Sequence, residues 1–152
     1  MKTKLISFVG LCLMAILVLA GCSKDESPEN KVNVTVSGSS FTFNSNYELE
    51  IPFMVSPSDY DASGATIGYD NVSFTSSGPI GGSLGLPPSV STIVKKDVSV
   101  AGKWIMSCKL KDAKTGDDFV PGDGVTFSYS ATASLMIGTD SYASFGISAS
   151  NK

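Results

Sequence analysis

The sequence predicts an all-β domain with an immunoglobulin-like two-sheet β-sandwich fold. From Val32 onward, apolar residues recur at every second position with serine and threonine between them, as in strands that bury one face. Clusters of glycine, serine and proline interrupt this pattern often enough for roughly seven to nine strands. No stretch after Ala20 has the period of an amphipathic helix. A small up-and-down β-barrel is the alternative architecture.

The first half of the domain contains its clearest alternation. Residues 32–36 and 47–55 each have apolar side chains at every second position, and Phe41 and Phe43 form a short piece between them. Pro52 lies within the second of these segments, and because proline lacks a backbone N–H it predicts an edge strand there. Two shorter strands are predicted at 67–69 and 72–74.

The second half predicts a long hairpin preceded by three strands. Apolar residues at 125–137 and 145–149 flank the turn Gly138-Thr139-Asp140. Residues 90–94 and 98–100 are predicted as strands, and the next strand covers 104–110. That last strand places Trp104, Met106, Cys108 and Leu110 on one face, which predicts that the tryptophan and the cysteine are core residues.

Composition excludes several functions. The chain has 152 residues, a formal charge of −3 and no histidine, and all its basic residues are lysines. An acidic domain without arginine lacks the bidentate donors that bind phosphate or base edges, so nucleic acid is not an expected partner. Without histidine, the usual bases of Ser-His and Cys-His catalysis are missing. The acids of the domain fall mostly in turns or at outward positions such as Glu48 and Glu50, so no enzyme activity is expected.

The first 21 residues have the pattern of a secretory signal. Lys2 and Lys4 precede an apolar run over 5–20, which is shorter than the roughly 17–25 residues that span a bilayer. The run ends in Leu19-Ala20-Gly21-Cys22, which resembles the lipobox of bacterial lipoproteins. That resemblance implies cleavage before Cys22, a diacylglycerol thioether on its sulfur and an acylated amine. The alternatives are an ordinary cleaved signal peptide and a membrane-anchoring helix.

Residues 22–31 predict a flexible tether between this signal and a β-sandwich domain at 32–152. The tether is polar and free of apolar side chains after the cysteine, so it has nothing to bury. Its Ser23-Lys24-Asp25-Glu26 resembles the lipoprotein export signal of Bacteroidetes, which implies a lipid-anchored protein on the outer face of the bacterial outer membrane. The alternative is that these charges only keep a linker soluble.

One loop predicts a calcium site. Asp59, Asp61, Ser63 and Asp70 occupy the first, third, fifth and twelfth places of a calcium-loop pattern, with Gly64 at the sixth. Strands rather than helices flank this loop, and aspartate and serine also form plain turns. A polar loop without metal is therefore the alternative, and no other cofactor is expected.

Two long connections and one tyrosine are candidate ligand sites. Residues 111–124 present Phe119 and Val120, residues 76–89 contain further apolar side chains, and Tyr142 has outward parity. The alternative is that the loop residues fold back and close the ends of the sandwich. The Gly-Pro-Ile-Gly-Gly segment at 78–82 resembles a binding loop of chagasin-like cysteine-protease inhibitors.

Together these patterns predict a lipid-anchored cell-surface binding or adhesion module for a glycan or protein ligand. The first alternative is a structural accessory subunit of an envelope or surface assembly, and the second is a protease inhibitor. Location is predicted by residues 19–26, whereas no motif in the domain identifies the ligand.

Overall fold

The computed structural model describes residues 31–80 and 85–151. The lipidation and export predictions, including Cys22, lie outside the described residues, as do residues 81–84 of the second long connection. The described residues contain eight strands and no helix. The strands are β1 (Asn33–Val36), β2 (Ser40–Thr42), β3 (Glu48–Ser56), β4 (Thr66–Ser76), β5 (Ser89–Lys96), β6 (Lys103–Lys111), β7 (Phe127–Ile137) and β8 (Asp140–Ser150).

The strands form two four-stranded sheets that do not close into a barrel. The first sheet has the order β1-β3-β6-β5 and the second has the order β2-β8-β7-β4. Neighbouring strands are antiparallel except β2 and β8, which are parallel. An immunoglobulin sandwich has the strand order A-B-E-D in one sheet and contains C, F and G in the other. When β1 is lettered A and β3 to β8 are lettered B to G, the first sheet has the order A-B-E-D and the second contains G, F and C beside β2. The predicted β-sandwich is therefore confirmed, and the barrel alternative is wrong.

The core is made by the side chains that point inward from both sheets. Ile51, Met106 and Leu110 of the first sheet and Ala133 and Leu135 of the second have no exposed surface. The core positions predicted for Trp104 and Cys108 are confirmed, because both side chains are buried. Burial raises the pKa of the Cys108 thiol to about 12, so this thiol stays protonated at neutral pH and is a poor nucleophile. Alternation alone was sufficient to identify these residues.

The strand predicted at 98–100 is wrong. These residues lie in the turn that joins β5 to β6, where Val98 is 93% exposed. The Asp97 carboxylate accepts the N–H and the hydroxyl of Ser99, and Gly102 adopts a φ of 75°. A Cβ on Gly102 would lie 2.5 Å from the carbonyl oxygen of Val55, so only glycine fits this turn. Two alternating valines were too short a pattern to separate a strand from a turn.

The edge position predicted from Pro52 is also wrong, because β3 lies between β1 and β6. The reason is where β1 ends. Val36, its last residue, pairs with Phe53, so the residue that faces Pro52 is Ser37, beyond the strand. The Ser37 N–H donates to the Pro52 carbonyl oxygen at 3.4 Å. The missing N–H of Pro52 thus faces the place where pairing with β1 has already stopped.

An aromatic cluster closes the end of the sandwich at the connection from β6 to β7. Phe119 is buried, which makes its predicted exposure wrong, while its neighbour Val120 is 65% exposed as expected. The Phe119 ring meets the rings of Tyr47 and Phe127 edge to face, with centroids 5.3 Å and 4.9 Å away. The connection therefore folds back over the core, as the alternative interpretation expected.

Replacing Phe119 by alanine should destabilise the domain far more than replacing Val120. Phe119→Ala removes a buried ring and leaves a cavity, so the free energy of unfolding should fall by about 3–5 kcal/mol. Val120→Ala removes exposed atoms and should stay within about 0.5 kcal/mol of the unmodified protein. Denaturant unfolding followed by tryptophan fluorescence measures both variants, and equal losses would show that the connection does not close the core.

Candidate functional site

The four residues predicted to bind calcium are not brought together as a loop. Asp59, Asp61 and Ser63 lie in the connection between β3 and β4, whereas Asp70 lies inside β4 and pairs with Thr132. The Asp61 carboxylate accepts the Ser63 N–H at 2.9 Å, and this bond is the main reason that its pKa is lowered. Residues 31–80 and 85–151 contain no group of three or more acidic, cysteine or histidine residues placed to hold a metal. The bond between Asp61 and Ser63 is the local side-chain-to-backbone bond of a polar turn.

The outward parity predicted for Tyr142 is wrong. The register between β7 and β8 shifts at Leu135 and Met136, which pair with Ala143 and Ser141 and leave Tyr142 as the extra residue of a β-bulge. At this bulge the alternation of side chains between the two faces of β8 is broken. Tyr142 is accordingly half-buried and packs against the core. An irregularity of one residue cannot be read from alternation.

The two long connections meet at one end of the sandwich. The Ser77 N–H donates to the Thr126 carbonyl oxygen, and the Thr126 N–H donates to the Ser77 hydroxyl, both at 2.9 Å. Ile80, in the middle of the segment that resembles the inhibitor loop, is 1% exposed. The described part of these connections therefore closes the core and does not present Ile80 to a partner.

Most of the outer face of the second sheet is a surface of hydroxyl groups. Strand pairing places its outward residues in five rows that cross the sheet. The row Thr66–Met136–Ser141 contains a methionine, whereas every member of the other four rows except Asp70 is serine, threonine or glycine. These four rows are Ser150–Ser128–Thr75, Thr42–Ser148–Ser130–Ser73, Ser40–Gly146–Thr132–Asp70 and Ser144–Ser134–Gly68. We call this set of residues the hydroxyl face.

The spacing of the hydroxyl face follows from the sheet itself. Neighbouring strands place side chains about 4.8 Å apart across each row, and successive rows lie about 7 Å apart. Ser130, Thr132 and Ser144 are exposed, and the Thr42 and Ser148 hydroxyl oxygens lie 3.3 Å apart. Gly146 has no side chain, and around it lies a shallow depression of about 340 Å³ that Thr132 and Ser148 also line. The result is a regular surface with one carboxylate, which the bulge of β4 interrupts at Asn71, a further residue that lines the depression.

Such a surface has a specific chemical capacity. Each hydroxyl can both donate and accept a hydrogen bond and can rotate to suit its partner. Soluble surfaces usually mix charges of both signs, so a four-stranded face with one carboxylate at its edge is unusual. A neutral ligand rich in hydroxyl groups could bond to several rows without leaving a buried charge unpaired. The sequence shows outward serines and threonines, but only the strand order shows that β2, β8, β7 and β4 combine them.

The outer face of the first sheet carries the charges instead. A depression of about 540 Å³ there is lined by Glu48, Glu50, Ser91, Ser107 and Lys109, among others. The Lys109 ammonium lies 3.1 Å from Glu48 and 2.9 Å from Asp118, and Lys111 also pairs with Asp118.

These ion pairs hold the connection from β6 to β7 in place. Asp118 precedes the buried Phe119, and the Phe119 N–H donates to the Leu110 carbonyl oxygen at 3.1 Å. Hydrogen bonds from Lys109 and Lys111 lower the pKa of the Asp118 carboxyl to about 2. Lys109 and Lys111 therefore hold the loop that carries the buried Phe119 ring against the first sheet.

Comparison with known proteins finds no family model, no curated protein and no solved structure that matches this chain. Within the described residues, no helix is long and apolar enough to cross a bilayer.

Acid should weaken the attachment of this connection. The pKa of Asp118 is lower in the folded protein, about 2, than its ordinary value of 3.8, so its contribution to stability is present above pH 4 and is lost as the pH falls toward 2. The denaturant midpoint should therefore fall over this range, and Asp118→Asn should reduce the size of the fall. Because Asp97 also has a pKa of about 2, through Ser99 and Lys103, Asp97→Asn is the matched control for a carboxyl elsewhere. An identical pH profile for Asp118→Asn and the unmodified protein would contradict this role.

Proposed function

We propose that this chain is a lipid-anchored cell-surface binding module that recognises a neutral glycan through the hydroxyl face. The observation that carries the proposal is the regular array of serine and threonine side chains on four adjacent strands, which glycines and Asp70 interrupt and which ends at the row of Met136. Sugar hydroxyls and protein hydroxyls are matched donors and acceptors, and such an array can bond to an extended chain of sugars.

The two aromatic residues that the sequence predicts as ligand contacts do not supply the sugar contacts in this proposal. Phe119 belongs to the core cluster and Tyr142 packs against the core, so neither offers a free ring for stacking. Recognition would depend on many hydrogen bonds, each contributing about 0.5–1.5 kcal/mol net. Affinity for a short oligosaccharide should be low, and a long polymer that touches several rows should bind better.

Anchorage fits this mode of binding. The lipobox-like residues 19–22 and the export-signal-like residues 23–26 support attachment of the mature chain to the outer membrane through Cys22. The domain begins beside the turn at 97–102, because Asn33 pairs with Ser56 and the Val55 N–H donates to Gly102. The nine residues 23–31 extend at most about 30 Å, so the anchor would hold the domain close to the membrane surface.

Binding to neutral polysaccharides should be lost when charge and bulk enter the hydroxyl face. The chain purified from membranes in detergent is applied to an array of neutral and acidic glycans, and binding to neutral members is expected. The double variant Thr132→Lys with Ser144→Lys should weaken that binding by about tenfold or more, since at least two hydrogen bonds are lost.

The control places the same charges on the other sheet. Ser91→Lys with Ser107→Lys alters the outer face of the first sheet and should leave glycan binding unchanged. No binding to any neutral glycan, or equal losses in both double variants, would overturn the proposal. Binding only to acidic glycans would also contradict it, because the hydroxyl face has no cation.

A further inference from the structure

We propose that the free edge of β5 accepts an extended acidic segment of a partner protein, which adds a fifth strand to the first sheet. This site is separate from the hydroxyl face, which lies on the other sheet. It would let the module dock to a protein component of a surface assembly while the hydroxyl face remains free.

The four sheet edges differ in how ready they are to pair. The edge strands β1 and β2 have four and three residues. The long edge strand β4 is interrupted between Asp70 and Ser73, where its register with β7 shifts and Asn71 has a φ of 51°. The edge strand β5 has eight residues, all paired with β6 in unbroken register and without proline. Bulges and short length are the usual ways of protecting an edge, and β5 has neither.

The alternating direction of the backbone hydrogen bonds shows which N–H and carbonyl groups of β5 point away from β6. The Leu110 N–H donates to Tyr47, and the Leu110 carbonyl oxygen accepts the Phe119 N–H, so both groups point away from β5. Backbone groups of successive strand residues point to opposite sides, so Lys109 and Lys111 point toward β5. Their partners Ser91 and Ser89 therefore bond to β6. The N–H and carbonyl groups of Val90, Thr92 and Val94 point to the free edge.

The side chains along this edge define the chemistry of its partner. Ile93 is 62% exposed beside the 540 Å³ depression. Lys95 and Lys96 are exposed, and neither makes an ion pair within the described part of the chain. The Lys96 ammonium lies 5.7 Å from the centroid of the Trp104 ring. An added strand with an apolar residue beside Ile93 and carboxylates beside the two lysines would match this edge.

Two lysines also act against the commonest unwanted partner. Edge lysines discourage pairing with other exposed edges, which otherwise leads to aggregation. An incoming acidic strand turns the same charges into attraction. The structure therefore favours a partner of opposite charge over a second copy of this chain, whose β5 would bring two more lysines.

The test uses two blocked eight-residue peptides of valine and threonine that differ only at two adjacent positions near one end, which are glutamates in one peptide and lysines in the other. Two adjacent charges are needed because Lys95 and Lys96 point to opposite faces of the sheet. Each peptide is titrated into the isotope-labelled full chain in detergent, and amide shifts and hydrogen exchange are followed by NMR. The glutamate peptide should shift residues 89–96 and slow the exchange of the Thr92 and Val94 amides. The lysine peptide should bind at least about threefold more weakly, as expected for two exposed ion pairs.

Variants separate strand addition from general attraction. Thr92→Pro removes a free-edge N–H without removing a bond to β6 and should abolish binding, while Thr92→Val keeps the N–H and should preserve it. Lys95→Glu with Lys96→Glu lies at exposed positions and should fold normally; it should reverse the preference between the peptides. Melting curves confirm that each variant is folded.

Three outcomes would overturn the proposal: shifts confined to other strands, binding that survives Thr92→Pro in a folded protein, or no change of preference after the charge reversal. Self-association in analytical ultracentrifugation that disappears in Thr92→Pro would also overturn it, because the occupant would be a second copy. The variant Thr132→Lys with Ser144→Lys should bind the glutamate peptide normally, so failure of the peptide test and failure of the glycan test are distinguishable.

Discussion

The strict alternation of side chains along each strand is the constraint on which the rest of this structure depends. Every second side chain of each strand must point into the core. The inward residues of both sheets, such as Ile51, Met106 and Leu135, fill it. The lone described cysteine is buried and free, so packing rather than a cross-link holds the sheets together. A domain of this size that depends on packing tolerates few polar residues inside. The side chains that point outward contribute little to the stability of the domain, so their chemistry can vary without loss of the fold.

The ends of a sandwich need a separate solution, because strands cannot cover them. Here the connection from β6 to β7 covers one end with the Phe119 ring, and the ion pairs of Asp118 with Lys109 and Lys111 hold that connection against the first sheet. The backbone reinforces this arrangement, since the buried Asp112 carboxylate accepts the N–H groups of Lys114 and Thr115. Lys109 and Lys111 on the first sheet thus help to close this end of the sandwich. Among the residues that the structure describes, the outer face of the second sheet makes no such ion pairs and carries mostly hydroxyl groups.

What the sequence could predict follows from the range of each interaction. Alternation is local, so it identified the all-β class, the hairpin of β7 and β8 and the burial of Trp104 and Cys108. The errors arose where a distant partner decides the outcome. Pro52 is tolerated because β1 ends beside it, Phe119 is buried because Tyr47 and Phe127 receive it, and Tyr142 turns inward at a bulge set by pairing with β7. The hydroxyl face could not be predicted from the sequence for the same reason. Its rows join residues of β2, β8, β7 and β4, which meet only in the folded sheet.

The residues that point inward therefore carry most of the stability of this domain, so the hydroxyl face should tolerate substitutions that the core does not. Adjacent residues of β7 allow a direct test: Ser130 is exposed on the hydroxyl face and Ala131 is buried in the core. The measurement is the free energy of unfolding of Ser130→Lys and Ala131→Lys in denaturant titrations. Ser130→Lys should change this free energy by no more than about 0.5 kcal/mol, whereas Ala131→Lys should lower it by several kcal/mol or prevent folding altogether. Equal destabilisation by the two lysines would show that the hydroxyl face also holds the domain together, and would contradict this division between core and surface.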